Sequence, residues 1–243
     1  MTMYTVGPSS ARMPGTLVAG IDGCKGGWVV VTVPVVDNDE ATVRCVPDLD
    51  TVIVGLDYGR LAAAAIDIPI GLPTDGPRPC DLEARRCIGP RRNSVFPAPM
   101  RAVLGATTYQ EALVRSRKAC GKGLTKQTFA ILPKIAAVDA VMTPERQRHL
   151  VEVHPEVCFR VLAGAPMKYH KATPEGRAER RAALRGPYPG IRALSSARPA
   201  GATLDDILDA FVAAWTARRW VTGNHIRLGG DLDERGLRME MIA

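Results

Sequence analysis

Two strongly apolar runs that each end in an aspartate constrain this chain more than any other feature. Residues 16–20 lead through Ile21 to Asp22, and an alanine-rich run from residue 62 ends in Ile66-Asp67-Ile68-Pro69. Both read as buried strands that deliver a carboxylate at the exit. Such a carboxylate needs backbone donors, a cation or exposure, because burying it unpaired is costly. Two of these exits on neighbouring parallel strands would hold their carboxylates close together. A divalent cation relieves that repulsion, and hard oxygen ligands suit Mg²⁺ or Mn²⁺.

The rest of the opening third also predicts strands. Residues 28–33 carry valine at almost every position, and residues 41–46 can pair back on them across the turn-like Asp37-Asn38-Asp39, so the chain opens as a β-meander. Gly23, Gly26 and Gly27 allow a tight turn after Asp22. Residues 48–60 are compatible with helix or strand, and Pro69 and Pro73 forbid a long helix after Asp67. Helices are predicted over residues 108–119 and 126–139. A further strand is predicted over residues 149–159, which Pro155 must end or place at an edge. Near the C-terminus, Leu204, Leu208, Phe211, Val212 and Trp215 recur at helical spacing, with Thr203 placed to cap and Asp206 three residues on. Strands first and helices later point to an α/β domain with a mixed sheet. One domain is expected over residues 16–220, including a basic, loop-rich insertion at about 71–125. A flexible tail precedes it at 1–15, and a C-terminal extension follows at 221–243.

With 243 residues, 46% of them hydrophobic and 23% charged, the chain can build one sizeable core. An apolar run such as residues 61–66 is far too short to cross a bilayer, and no signal-peptide pattern opens the chain. No membrane association and a cytoplasmic location are therefore expected. The six cysteines include no CxxC pair and no set with suitably spaced histidines, which argues against zinc and against a disulfide scaffold. The net charge of +7 favours an anionic partner. It is uneven: residues 1–77 carry 4 basic and 9 acidic side chains, residues 78–134 carry 12 and 3, and residues 168–198 carry 8 and 2. Such basic segments either lie on phosphates or form a solvated surface.

Within them, Arg85, Arg86, Arg91 and Arg92, followed by Lys122 and Lys126, are the leading phosphate contacts. On the C-terminal helix, Asp209 is the aspartate beside the inward-turned Leu208 and Phe211. Asp205 and Asp206 sit in the first turn, where the helix dipole favours acidic groups. In Glu152-Val153-His154-Pro155-Glu156, strand alternation sets Glu152, His154 and Glu156 on one side. Glu152 could close a metal site, His154 could orient a water or phosphate or assist proton transfer, and Glu156 could cap the next helix. A structural histidine is the plain alternative. Carboxylates, Mg²⁺ or Mn²⁺ and basic flanks together point to metal-dependent hydrolysis of phosphodiester bonds in DNA or RNA. The catalytic candidates are Asp22, Asp67, Glu152, Glu156 and Asp209, with Asp22, Asp67 and Asp209 as metal ligands. Phosphate-loop, nucleophile-elbow and HExxH motifs are missing from the sequence. The competing reading is a noncatalytic nucleic-acid-binding protein. Aromatics are only 5%, and Tyr109, Phe96 and Trp28 could stack bases or simply fill the core.

The same blocks resemble a known family. GIDGCKGGWVVV at 20–31, AIDIPIGLP at 65–73, CDLEARRCIGPRRNSVFPAP at 80–99, EVHPEVCF at 152–159 and LDDILDAFVAAW at 204–215 are similar, in this order, to blocks of the DUF429 family, a group predicted to be nucleases with an RNase H-like fold. The resemblance implies a three-layer RNase H-like domain with a five-stranded mixed sheet flanked by helices. It implies Asp22 at the first-strand acidic position, Asp67 delivered by the fourth strand and Asp209 by the last helix. Glu152 or Glu156 would add a further carboxylate. That broad fold also serves ATP-dependent sugar kinases and actin-like ATPases, and residues 22–27, with Lys25, could cradle a phosphate. Gly229-Gly230 is the only late candidate for the second glycine-rich loop such an ATPase or phosphotransferase wants, so this alternative ranks below the nuclease.

Overall fold

The computed structural model describes residues 16–36, 40–196 and 198–243. The anticipated N-terminal tail and the Asp37-Asn38-Asp39 turn lie outside the described residues. Five strands form one sheet: β1 (Leu17–Cys24), β2 (Gly27–Pro34), β3 (Thr42–Val46), β4 (Leu61–Ile66) and β5 (Leu150–Glu152), in the order β3-β2-β1-β4-β5. β2 runs antiparallel to both neighbours, whereas β4 is parallel to β1 and to β5. β1 and β4 are covered on both faces, which is why their sequences are near-continuous apolar runs rather than alternating ones. Pairing of Cys24 with Gly27 leaves a two-residue turn of Lys25 and Gly26, and Gly26 takes φ +88°, a left-handed value open to glycine without strain.

Helices cover both faces: α1 (Asp50–Asp57), α2 (Pro79–Ile88), α3 (Tyr109–Cys120), α4 (Lys126–Val141), α5 (Pro155–Ala163), α6 (Pro174–Leu184), the single turn α7 (Ile191–Leu194) and α8 (Leu204–Val221). Successive strand residues point to opposite layers. Val18, Ala63 and Ala65 join a core with α2, α5 and α8, while Ala19, Ile21, Ala64 and Ile66 join another with α1 and α4. The molecule is thus a three-layer α/β fold on a five-stranded mixed sheet, as expected. The ambiguous residues 48–60 resolve as α1, whose Val52 is buried beside Leu49 in the second core.

α8 is the element that places the site. It lies across β1 and β4, and the small residues of those strands let it come close. A Cβ on Gly20 would fall 2.8 Å from Ala214 Cα and nearer still to Ala214 N and Ala210 O. Its start is set by a capping box: Thr203 Oγ1 accepts from Asp206 N at 3.2 Å, and Thr203 N donates to Asp206 Oδ2 at 2.8 Å. Asp206 therefore has the local role its position in the first turn suggested.

Two expectations need correction. Residues 149–159 are not one strand: β5 ends at Glu152 and Pro155 opens α5, because proline suits the first helical turn, where its missing N–H forfeits no bond. Glu152, His154 and Glu156 consequently do not share a strand face. The basic insertion is more regular than loop-rich, since α2, α3 and two 3-10 turns (Gly89–Ser94 and Arg101–Val103) occupy much of it. The C-terminal extension folds into a hairpin of β6 (Arg227–Leu232) and β7 (Arg238–Ile242) that packs on α2 and meets the main sheet through a Val153–Ile242 bridge. Gly229 and Gly230 lie within β6, where Gly229 sits against Cys80 of α2. Among the described residues no helix is long and apolar enough to cross a membrane. All six cysteines are free thiols.

Candidate functional site

Parallel pairing sets Ile21 opposite Ile66, and Asp67 N donates to Ile21 O at 3.1 Å. Asp22 and Asp67 are therefore adjacent exits of the two central strands. Asp209 reaches the same place from α8, one residue before the Ala210 carbonyl that rests on Gly20. Asp22 and Asp209 are buried, at 8% and 1% exposure, and Asp67 is half-buried. Burial is the main cause that pushes all three carboxyls above the ordinary carboxylate range. The charges of Asp67 and then Asp209 add to the rise at Asp22, and the charge of Asp209 adds to it at Asp67.

Lys171 opposes that rise at all three aspartates. Its Nζ lies 2.7 Å from Asp209 Oδ2, and the charge of Asp209 holds the ammonium above the usual lysine range despite partial burial. Sequence reasoning missed this residue. A lysine in the connection between α5 and α6 carries no periodicity or motif that could mark it.

The three aspartates line a cleft of about 630 Å³ whose other walls include Lys134, Lys171, Arg91, His154 and Phe96. Lys134 Nζ donates to Gly27 O at 2.5 Å and stands 4.3 Å from the centre of the Trp28 ring. Of the cations expected on phosphate, Arg91 lines this cleft; Lys25, Arg85, Arg86, Arg92, Lys122 and Lys126 lie outside it. Among the three aromatics considered for stacking, Trp28 is buried and Tyr109 packs edge-on to Phe129 at 5.6 Å, leaving Phe96 in the cleft.

The remaining acidic residues divide by their partners. Glu152 accepts from Arg78 on both oxygens, at 2.7 and 2.8 Å, and Oε2 also takes Ile70 N at 2.6 Å. Arg78, buried and also missed from the sequence, bonds Asp81 as well, at 2.6 Å. Two carboxylates share one guanidinium there, and burial pushes Glu152 up to about 7 while Arg78 pulls it down. Cys80, Asp81 and Glu152 offer ligand atoms all within 4.8 Å of one another. Arg78 lies between the two carboxylates, offsets one of their two charges, and through its hydrogen bonds joins α2 to β5. Glu156 instead accepts on Oε1 from Arg180 at 2.5 Å and Arg91 at 3.3 Å, while Oε2 has no hydrogen-bond partner among the described residues. His154 Nε2 donates to Ser94 O at 3.2 Å, and its buried Nδ1 likewise has no hydrogen-bond partner among the described residues.

Fold and cleft together define an α/β protein in which two central strands and the last long helix gather aspartates into one basic-walled cleft. The chain belongs to the DUF429 family: the model described as "Protein of unknown function (DUF429)" matches residues 20–234, a span that holds all three aspartates and Lys171. Comparison with curated proteins and with solved structures gave no match.

Proposed function

We propose that this protein is a divalent-metal-dependent nuclease that hydrolyses phosphodiester bonds in DNA or RNA. The observation that carries the reading is the convergence of Asp22, Asp67 and Asp209, two buried and one half-buried and mutually repelling, at one cleft. The strand order β3-β2-β1-β4-β5, with β2 alone antiparallel, supports an RNase H-like assignment, as do acidic residues on the first strand, after the fourth strand and on the last long helix. Fold analogy sets the prior, and the carboxylates carry the chemistry.

The residues present suit Mg²⁺ or Mn²⁺. The donor set is hard oxygen throughout, and its surplus negative charge already draws in a cation, the ammonium of Lys171. Asp22, Asp67 and Asp209 would hold the metal. A metal bound there would supply charge stabilisation at the phosphoryl oxygens and a more acidic water. Arg91 and Lys134 on the walls attract the flanking phosphates, a contribution that salt weakens. His154 lines the cleft beside Glu156 and would orient a water or a phosphate there. Glu156 lies near enough to Asp209 for its charge to raise that carboxyl, whereas Arg78 holds both oxygens of Glu152, so Glu156 is the better-placed additional carboxylate.

The test is cleavage of labelled single-stranded, duplex and branched DNA and RNA with Mg²⁺ or Mn²⁺, run beside EDTA and Asp22→Asn controls. Metal-dependent products lost in both controls are expected. Salt-sensitive binding without any cleavage would replace this reading with a noncatalytic nucleic-acid-binding protein.

A further inference from the structure

Lys171 is delivered to the aspartates by a firmly anchored segment rather than by a wandering surface chain. On one side of it, Lys168 N and Tyr169 N both donate to Glu179 of α6, and Arg180 donates to Tyr169 O at 3.3 Å. On the other, Thr173 Oγ1 donates to His170 O at 2.9 Å and accepts from Gly176 N at 3.0 Å, capping α6. Gly176 must be glycine for this approach, because a Cβ there would run into the His170 carbonyl. The backbone is thus fixed, while the Lys171 side chain remains 43% exposed against a carboxylate that is 1% exposed. It can swing outward without moving the fold.

A metal on Asp209 would sit about 2 Å from a carboxylate oxygen. The ammonium is 2.7 Å from Asp209 Oδ2, so the two cations would occupy the same small volume and repel. Without Lys171, the metal-free cluster would lose the one cation paired directly with Asp209 and keep only the more distant charges of Arg180 and His154, a costly state for buried carboxylates.

We propose that Lys171 is a built-in counter-ion that stands in for the metal and must be displaced when a divalent cation enters, so that it sets the metal affinity of the site. The proposal rests on the reading of Asp22, Asp67 and Asp209 as metal ligands and concerns what governs their loading. It needs no nucleic acid.

The experiment is Mn²⁺ titration of the full chain, followed by the electron paramagnetic resonance signal of free Mn²⁺, for wild type, Lys171→Met and Lys171→Arg. Removal of the competing cation is expected to tighten Mn²⁺ binding by about tenfold or more, the factor that about 1.4 kcal/mol of relieved competition gives. Lys171→Arg, which keeps a cation, should stay near wild type. Equal or weaker binding by Lys171→Met overturns the counter-ion role while leaving the metal site standing. Absence of Mn²⁺ uptake by every variant overturns the metal site and this proposal with it. Tighter binding without nuclease activity would sustain the counter-ion role and refute only the nuclease. Should the variants not fold, wild type still decides the matter. Amine-reactive labelling read by mass spectrometry should rise at Lys171 on adding Mn²⁺, and unchanged labelling refutes displacement.

Discussion

Gly20→Ala tests the seating of α8 on β1, on which the whole aspartate cluster depends. The added Cβ would be 2.8 Å from Ala214 Cα and closer to Ala214 N and Ala210 O, all backbone atoms that no rotamer change can move. Ordinary carbon contacts begin near about 3.5 Å, so α8 must withdraw by something on the order of 1 Å. Over-packing of this kind costs about 1–3 kcal/mol. A chain of this size loses about 2–4 °C of Tm per kcal/mol, giving a fall of about 2–12 °C. Without a clash the sign would be reversed, since glycine-to-alanine at a compatible position stabilises by about 0.4–1 kcal/mol through the unfolded chain. Gly23→Ala is the internal control: its Cβ would meet Lys134 Cδ at 2.9 Å, part of a flexible side chain that can yield. The consequence for function follows from geometry. Asp209 precedes Ala210, so withdrawal of α8 carries Asp209 away from Asp22, and a misplacement of about 1 Å in a reacting constellation can cost about 100-fold in rate. The assays are thermal denaturation and Mn²⁺ binding of both variants. A Gly20→Ala protein as stable as wild type, with unaltered Mn²⁺ affinity, would refute the close seating of α8.

Arg78→Met leaves Asp81 and Glu152 buried without their cation, at a cost of about 3–5 kcal/mol. That loss in denaturant unfolding should shrink well below pH 7, where Glu152, pushed up to about 7, takes up a proton. Asp22→Asn should raise the Tm of the metal-free protein at pH 8. The folded state holds the Asp22 proton above the ordinary carboxylate range, so wild type loses stability as pH climbs through that window; the substitution removes its share of the loss. Mn²⁺ should accordingly raise the wild-type Tm more at pH 8 than in mildly acid buffer, where protons compete for the aspartates. Thr203→Ala removes the cap of α8 and should lower stability by about 1 kcal/mol, read by the same thermal melts.

The central strands and α8 were legible in the sequence because their signals are local. A strand buried on both faces must be apolar along its length, and a capped amphipathic helix repeats its apolar residues every three or four positions. Asp22 and Asp67 stood out because a charged residue ending such a run demands a reason. Residues 149–159 misled for a related cause: the sequence pattern is apolar enough for a strand, and the choice between an edge strand and a helix opening at Pro155 depends on what packs around it. The C-terminal hairpin was equally unreadable, since the apolar Met241-Ile242 end of β7 has meaning only against α2 and β5.

Interior backbone segments and the carboxylates that end them can be read along the chain, since burial and periodicity are properties of neighbouring residues. Which charges meet is settled by the folded backbone alone. Arg78 reaches Glu152 across 74 positions, and Lys171 reaches Asp209 across 38. Ion pairs at such separations leave no spacing in the chain, because a long flexible side chain satisfies whichever buried carboxylate the folded backbone brings within about 3 Å. For the same reason, the basic residues predicted from charge alone divide only in three dimensions: Arg91 lies in the cleft beside Glu156, while Arg85, Arg86 and Arg92 stay outside it.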